Sequence, residues 1–201
     1  MVTALENLVE ALGRLPTIGR KSAWRLALHL MERPREELDN LAHCIAVLPR
    51  EVKTCRECYN YSDAEVCSVC SSPRRDHGVI CVVEKPTDVF TMEKSGRYNG
   101  VYHVLGGLLS PIDGVTADKL RIAELKQRVE QGEVAELILA LGGGGEAETT
   151  AMYVASVTGP YGVRITRLAR GVPAGMELEY IDQITLTQAL QERTDVRYGE
   201  R

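Results

Sequence analysis

Aromatic side chains make up only 5% of the 201 residues, with one Trp and one Phe. Any core must therefore be built mainly from aliphatic residues. No apolar run approaches the roughly 18 residues that a membrane-spanning helix needs. The first ten residues contain Glu6 and Glu10 but no basic residue, the wrong charge for a secretory leader. Both absences point to a cytoplasmic protein with no membrane partner. A large positive excess is also lacking: the net charge is −4, which argues against coating nucleic acid with the whole surface. One stretch departs from that balance. Between Glu10 and Glu32 there is no acid, whereas Arg14, Arg20, Lys21 and Arg25 contribute four positive charges. On spacing alone, a solvated helix face is the simpler reading of that stretch.

Helical periodicity dominates the first fifty residues. Leu5, Leu8, Val9, Leu12 and Leu15 share one face before Pro16 interrupts, and Ala23, Leu26, Ala27 and Leu30 form a second stripe. Glu36 to Leu48 carries a third stripe through Leu38, Leu41, Ile45 and Leu48, which Pro49 is expected to close. Beyond Gly78 the pattern changes. Val79 to Val83 is a short β-branched run that suits a strand buried on both faces. Strands over Val101–Leu105, Leu137–Leu141 and Val163–Leu168 are expected to alternate with helices over Pro86–Lys94, Asp118–Glu130 and Glu146–Val157. Such alternation indicates a parallel α/β sheet.

Between these regions lies the most specific signal. Four of the six cysteines fall in the order Cys55-x2-Cys58-x8-Cys67-x2-Cys70. Each C-x2-C pair grips a metal from one turn, and the loop between them brings the pairs together to complete a tetrahedron. Four thiolates leave no open position, so a structural zinc is expected, one per chain, with Fe–S the remaining option on composition. The metal would supply folding energy that so short a segment lacks. Cys44 and Cys81 sit in apolar patterns and read as core residues. His29, His43, His77 and His103 show no ligand spacing and read as structural or solvated.

Leu15-Pro16-Thr17-Ile18-Gly19-Arg20-Lys21-Ser22-Ala23, between two helices, resembles the helix-hairpin-helix motif of DNA-repair proteins. In that motif a tight turn aims backbone N–H groups at a phosphate. Thr17 stands where the usual pattern has Gly. Trp24 reads as a packing residue rather than a base-stacking platform. Glu84 follows the first strand with Asp88 one turn on, and Gly142 to Gly145 precede Glu146 and Glu148. This resembles the Toprim domain of topoisomerases and primases, but the Asp-x-Asp pair that holds magnesium there is missing. The alternative for Glu146 is ordinary: acids at a helix N-terminus suit the helix dipole.

The order of modules is similar to the RecR family of bacterial recombination mediators. So are Cys67 to Asp76, Ile80 to Glu84, Leu109 to Gly114 and Arg167 to Tyr180. The sequence departs from that family at Leu141 to Gly145, where a more polar stretch is usual. The resemblance implies a multi-module α+β protein: an N-terminal helical hairpin (1–51), a four-cysteine zinc module (52–75), a Toprim-like α/β parallel sheet (78–174), and a C-terminal strand/helix tail that serves oligomerisation (175–201). It further implies a non-enzymatic, DNA-binding mediator. Homodimers would assemble into a homotetramer ring that works with RecO and/or RecF to promote RecA loading on gapped DNA. Binding to single- or double-stranded DNA would not be sequence-specific. On this reading Lys21, Arg25, Arg14 and Arg20 contact DNA, and Glu84, Asp88 and Glu146 contact partner proteins. Two alternatives are a magnesium-dependent Toprim nuclease or primase, which the missing Asp-x-Asp opposes, and a zinc-ribbon interaction protein with no DNA role, which the basic stretch opposes.

Overall fold

Leu5, Leu8, Val9 and Leu12 recur at i, i+3, i+4 and i+7 and give α1 (Thr3–Gly13) a single apolar stripe. In the computed structural model, which describes residues 3–195, that stripe lies on α2 (Arg20–Met31). Ala23 and Ala27, one turn apart, are fully buried in the contact, and neither has a side chain long enough to hold the helices apart. Val9 packs beside them, and Leu5, Leu8, Leu12, Ile18 and Trp24 close the cluster. The third helix, α3 (Arg35–Glu51), buries none of its residues. Its apolar row of Leu41, Ile45 and Leu48 is 44%, 61% and 55% exposed. Cys44, expected in a core, is exposed for the same reason: among the described residues nothing covers this helix. Pro49 does not close α3, which runs on to Glu51. The N–H that Pro49 lacks would have bonded one turn back, to the carbonyl of Ile45, which lies on an exposed stretch open to solvent.

The chain divides into two units, Met1–Lys53 and Thr54–Arg201. The second is built on a four-stranded sheet in the order β4-β3-β5-β6. A two-residue ribbon precedes it, β1 (Lys53–Thr54) pairing with β2 (Tyr61–Ser62). The sheet strands β3 (Asp76–Val83), β4 (Gly100–Val104), β5 (Glu136–Ala140) and β6 (Arg164–Arg167) are all parallel. Side chains alternate along β3 as period two requires. Ile80 and Val82 join one core with Leu125 and Val129 of α5 (Ile122–Glu130) and Val154 of α6 (Gly145–Thr158). Cys81 and Val83 join another with Val89 of α4 (Pro86–Lys94). Both faces are therefore covered, which is why the run reads as uninterrupted apolar residues.

The helix expected over Asp118–Glu130 is broken. A 3-10 turn at Ala117–Lys119 precedes α5, and between them Leu120 turns extended and enters the core at 3% exposure. The Arg121 N–H then bonds the Leu105 carbonyl at 2.9 Å, tying this joint to the end of β4. At the other end of β4, Gly100 is required by space. A Cβ there would sit 2.5 Å from the Val79 carbonyl oxygen and 2.3 Å from the Tyr98 hydroxyl. The tail holds a 3-10 turn at Leu178–Tyr180 and α7 (Gln183–Gln191), the latter capped by Asp182, which accepts from the Thr185 N–H at 2.9 Å. Among the described residues of the tail there is no strand. The final six residues of the expected oligomerisation segment lie outside the described ones.

His103, in β4, is completely buried where the four-cysteine segment meets the sheet. Its Nε2–H donates to the Arg121 carbonyl at 2.7 Å, and its Nδ1 faces the Arg128 guanidinium at 3.3 Å. That assigns a neutral tautomer. The Tyr59 and His103 rings meet edge to face at 5.4 Å, and the Arg121 guanidinium lies over the Tyr59 ring at 5.0 Å. Burial first, and the Arg128 charge second, depress the His103 pKa to about 3. The unfolded chain takes up this proton near pH 6.5, whereas the folded chain refuses it until about pH 3. Stability is therefore intact above pH 6.5 and falls towards pH 3, by up to about 1.4 kcal/mol per unit. Urea midpoints measured between pH 7 and 5 should decline more steeply in the wild type than in His103→Gln. Equal slopes would show that another group titrates.

Candidate metal centre and nucleic-acid interface

The four-cysteine segment has almost no apolar core of its own. Its buried cluster is Cys55, Cys58, Cys67 and Cys70, with Val66 and Val69 packed alongside. The four sulfurs lie within 4.8 Å of one another, and no other group of three or more potential metal ligands converges among the described residues. Cys58 and Cys67 sulfurs are 3.6 Å apart, close to the ~3.8 Å edge of a tetrahedron with Zn–S bonds of ~2.3 Å. Backbone N–H groups already point at sulfur: Cys67 to Cys55 Sγ at 3.3 Å and Cys70 to Cys67 Sγ at 3.4 Å. Hydrogen bonds from Cys58 and then Cys70 hold the Cys67 thiol far below the usual range. The hydrogen bond with Cys67 comes first in pushing Cys58 up to about 12, and the bond with Cys58 first in raising Cys70. Sulfurs this close cannot all ionise alone, and a dication removes that repulsion. The four cysteines can hold one metal ion, and the donor set suits zinc. Tyr59, beside Cys58, takes a left-handed backbone with φ of 63°, and the Cys58 carbonyl accepts from the Val104 N–H at 2.8 Å.

The hairpin presents a second local geometry. Leu12, Leu15 and their neighbours close the turn through Leu15 N–H to Leu12 O and Ile18 N–H to Leu15 O. Gly19 then takes the N-cap position of α2 with no side-chain cap, and the first turn of α2 contains no acid. Arg20 and Lys21 occupy that turn instead, both exposed. Free N–H groups, the positive helix end and two cations all call for an anion. Arg25 is exposed one turn after Lys21 on the same face. Arg14 pairs with Glu10, an exposed contact of the kind worth at most about 1 kcal/mol.

The acids at the carboxyl edge of the sheet do not converge. Glu84 pairs with Lys85 Nζ at 2.8 Å. Asp88 accepts from the Lys85 N–H at 2.8 Å and is thereby committed to capping α4. Glu146 is exposed in the first turn of α6. Glu148, which had no distinct role in the sequence pattern, is the connected one: it bonds Arg167 at 3.2 Å and Arg170 at 2.8 Å, and Arg167 also reaches Glu192. The Arg170 hydrogen bond is the first cause of its lowered pKa. Likewise Arg75 bonds Glu93 at 3.0 Å and the Tyr98 and Gly100 carbonyls, and the Tyr102 hydroxyl donates to the same Glu93. Burial works to raise the Glu93 carboxyl, but these donors outweigh it and hold it below the usual range. Partners lying 18 to 25 residues away leave no local signal.

A model of the RecR helix-hairpin-helix matches residues 5–48, and a model of the RecR zinc finger domain, of the four-cysteine type, matches residues 52–72. A Toprim model matches residues 78–169 and a RecR C-terminal model residues 171–194. The recombination protein RecR of Desulforapulum autotrophicum is 48% identical over 93% of this chain and 94% of its own length. The chain belongs to the RecR family. The recombination protein RecR of Deinococcus radiodurans is 49% identical over 96% of this chain and 87% of its own, and that of Tropheryma whipplei (strain TW08/27) is 45% identical over 96% and 97%. The RecR zinc-finger match falls on the same four cysteines whose sulfurs converge.

Two outcomes test the local geometry of this RecR chain. Elemental analysis should find one zinc per chain, and Cys58→Ala should lose it and expose residues 54–75 to protease. A metal-free protein with an intact, protected segment would refute the centre. In the hairpin, Thr17 takes φ of 66°, a left-handed conformation costly for a β-branched residue. Thr17→Gly should relieve that strain and stabilise the first unit by up to about 1 kcal/mol, seen as a higher urea midpoint in Trp24 emission. A fall in the midpoint would mean that Thr17 contributes more through contacts than it costs in strain.

Proposed function

We propose that the chain is a DNA-binding recombination mediator rather than an enzyme, with the hairpin as its DNA contact. The uncapped, acid-free N-terminus of α2, bearing Arg20 and Lys21, is the observation that carries this reading. Phosphate fits it because the free N–H groups, the helix dipole and the side chains all favour an anion. Lys21 and Arg25 lead the contact, with Arg20 and, once released from Glu10, Arg14 in support. Contacts to phosphate do not distinguish sequences, so single- and double-stranded DNA both qualify. A Toprim nuclease or primase would need carboxylates gathered for magnesium. Here Asp88 caps a helix and Glu84 pairs with Lys85, which supports the non-enzymatic reading.

On the same reading the chain works in the cytoplasm as a homodimer that assembles into a tetrameric ring. The uncovered apolar row of α3 supports one subunit contact. Leu178, Tyr180, Ile184 and Leu190, all at least 60% exposed in the tail, support another. Such a ring would concentrate four copies of the basic segment on the enclosed DNA, while salt screens the more distant acids beyond about 8–10 Å. The exposed Glu146 leads the contact with RecO and/or RecF, with Glu84 and Asp88, each already held in a structural contact, in support, and through it the mediator would promote RecA loading on gapped DNA. Lys21→Glu combined with Arg25→Glu should abolish DNA binding while leaving zinc content and solution mass unchanged. Wild-type affinity should fall with salt by a log–log slope of about −0.7 per phosphate on single strands or −0.9 on duplex. Affinity and slope that survive the double reversal would move the DNA path elsewhere.

A further inference from the structure

Trp24, the chain's only tryptophan, is half-buried against the Val9, Ala23 and Ala27 contact. Its remaining surface lines a cavity of about 530 Å³ between α1 and α2, together with Glu6, Glu10, Gly13, Arg14 and Arg20. That volume falls within the ~300–1,000 Å³ range of small-molecule sites. Gly13 leaves the cavity open on its side, since a Cβ there would meet no atom within 4 Å. Arg20 and Trp24 are four residues apart on one helix and so share a face, about 6 Å apart along the axis. The row formed by Lys21 and Arg25 runs beside them.

The charges lining this cavity select its occupant. Glu6 and Glu10 balance Arg14 and Arg20 along the lining, and Arg14 is already engaged by Glu10, so the interior offers a phosphate no net attraction. An uncharged planar group with amino donors suits an indole face and carboxylate acceptors. The helix N-terminus that attracts phosphate lies one turn away. We propose that the cavity receives an unstacked nucleobase of single-stranded DNA, with Trp24 as the stacking surface. This rests on the hairpin's reading as the DNA contact and deepens it, because duplex DNA keeps its bases paired and cannot fill the site. Trp24 thus has two faces, one packed into the helix pair and one available to the strand.

The test uses the full-length zinc-loaded protein and its single indole. Three ligands are compared at matched saturation: a short single-stranded oligonucleotide, the same backbone with abasic sugars, and the duplex. Trp24 emission should be quenched by the first alone. The abasic strand should bind about ten-fold more weakly than the intact one, as should the intact strand to Trp24→Leu, while Trp24→Phe keeps most of the affinity. The abasic comparison uses wild-type protein, so it stands even if Trp24→Leu misfolds. Intact DNA binding without quenching, or equal affinity for the abasic strand, overturns the base site and leaves the phosphate reading standing. Emission that follows dilution and solution mass rather than DNA gives the cavity to a second copy of the chain and also overturns it. If no ligand binds at all, the hairpin reading falls and the base site falls with it.

Discussion

Four sulfurs brought within one coordination sphere are the constraint on which the second unit depends. The segment holding them buries little besides the cysteines and Asn60, with Val66 and Val69 partly covered, too little apolar surface to offset the entropy of ordering it. Closing the sulfurs on a dication fixes both knuckles, and the knuckles in turn present two groups to the sheet. The Cys58 carbonyl takes the Val104 N–H, and Tyr59, held in a left-handed turn, sets its ring against His103 and the Arg121 guanidinium. The chain then leaves Cys70 towards Arg75, whose guanidinium reaches Glu93 and two carbonyls at the start of β4. Metal coordination, an uncharged buried imidazole and an ion pair therefore lock the segment to one edge of the fold.

The first unit is stabilised in a different way. Its two-helix contact relies on small residues, Ala23 and Ala27, and leaves α3 without any buried side chain. The strained Thr17 sits in the turn that starts α2, so the uncapped end bearing Arg20 and Lys21 is held by a backbone conformation that β-branched residues disfavour. Strain in a turn persists when packing on both sides over-determines it, and here the packing comes from Leu12, Ile18 and the alanine contact.

At the carboxyl edge of the sheet, the place where open α/β folds gather their chemistry, charges are spent on structure. Asp88 completes a helix cap, Glu84 pairs with its neighbour, and Glu148 ties α6 to Arg167 and Arg170, with Glu192 beyond. A carboxylate committed to a backbone N–H or a guanidinium is poorly suited to proton transfer or metal binding. The same edge nonetheless keeps Glu146 exposed and offers the four-glycine loop little to pack against, since a Cβ at any of its glycines would meet nothing within 4 Å.

For the metal knuckles, the β3 run and the first helix pair, whose governing interactions are local, the residues alone were sufficient. The four cysteines announced their cluster because a metal's geometry dictates their spacing. The run from Val79 to Val83 announced a strand buried on both faces, and the stripe of α1 and α2 announced a helix pair. Tertiary structure decided what depends on distant neighbours or on missing ones. It broke the expected helix at Leu120 because the end of β4 captured the Arg121 N–H, and it exposed Cys44 because no described element covers α3. It turned His103 from an imidazole read as structural or solvated into a neutral buried link, and made Trp24, read as a packing residue, also the wall of an open cavity. The physical reason is one of range: coordination and periodicity are written locally along the chain, whereas burial, ion pairing and proton affinity are set by groups that only folding brings within a few ångströms.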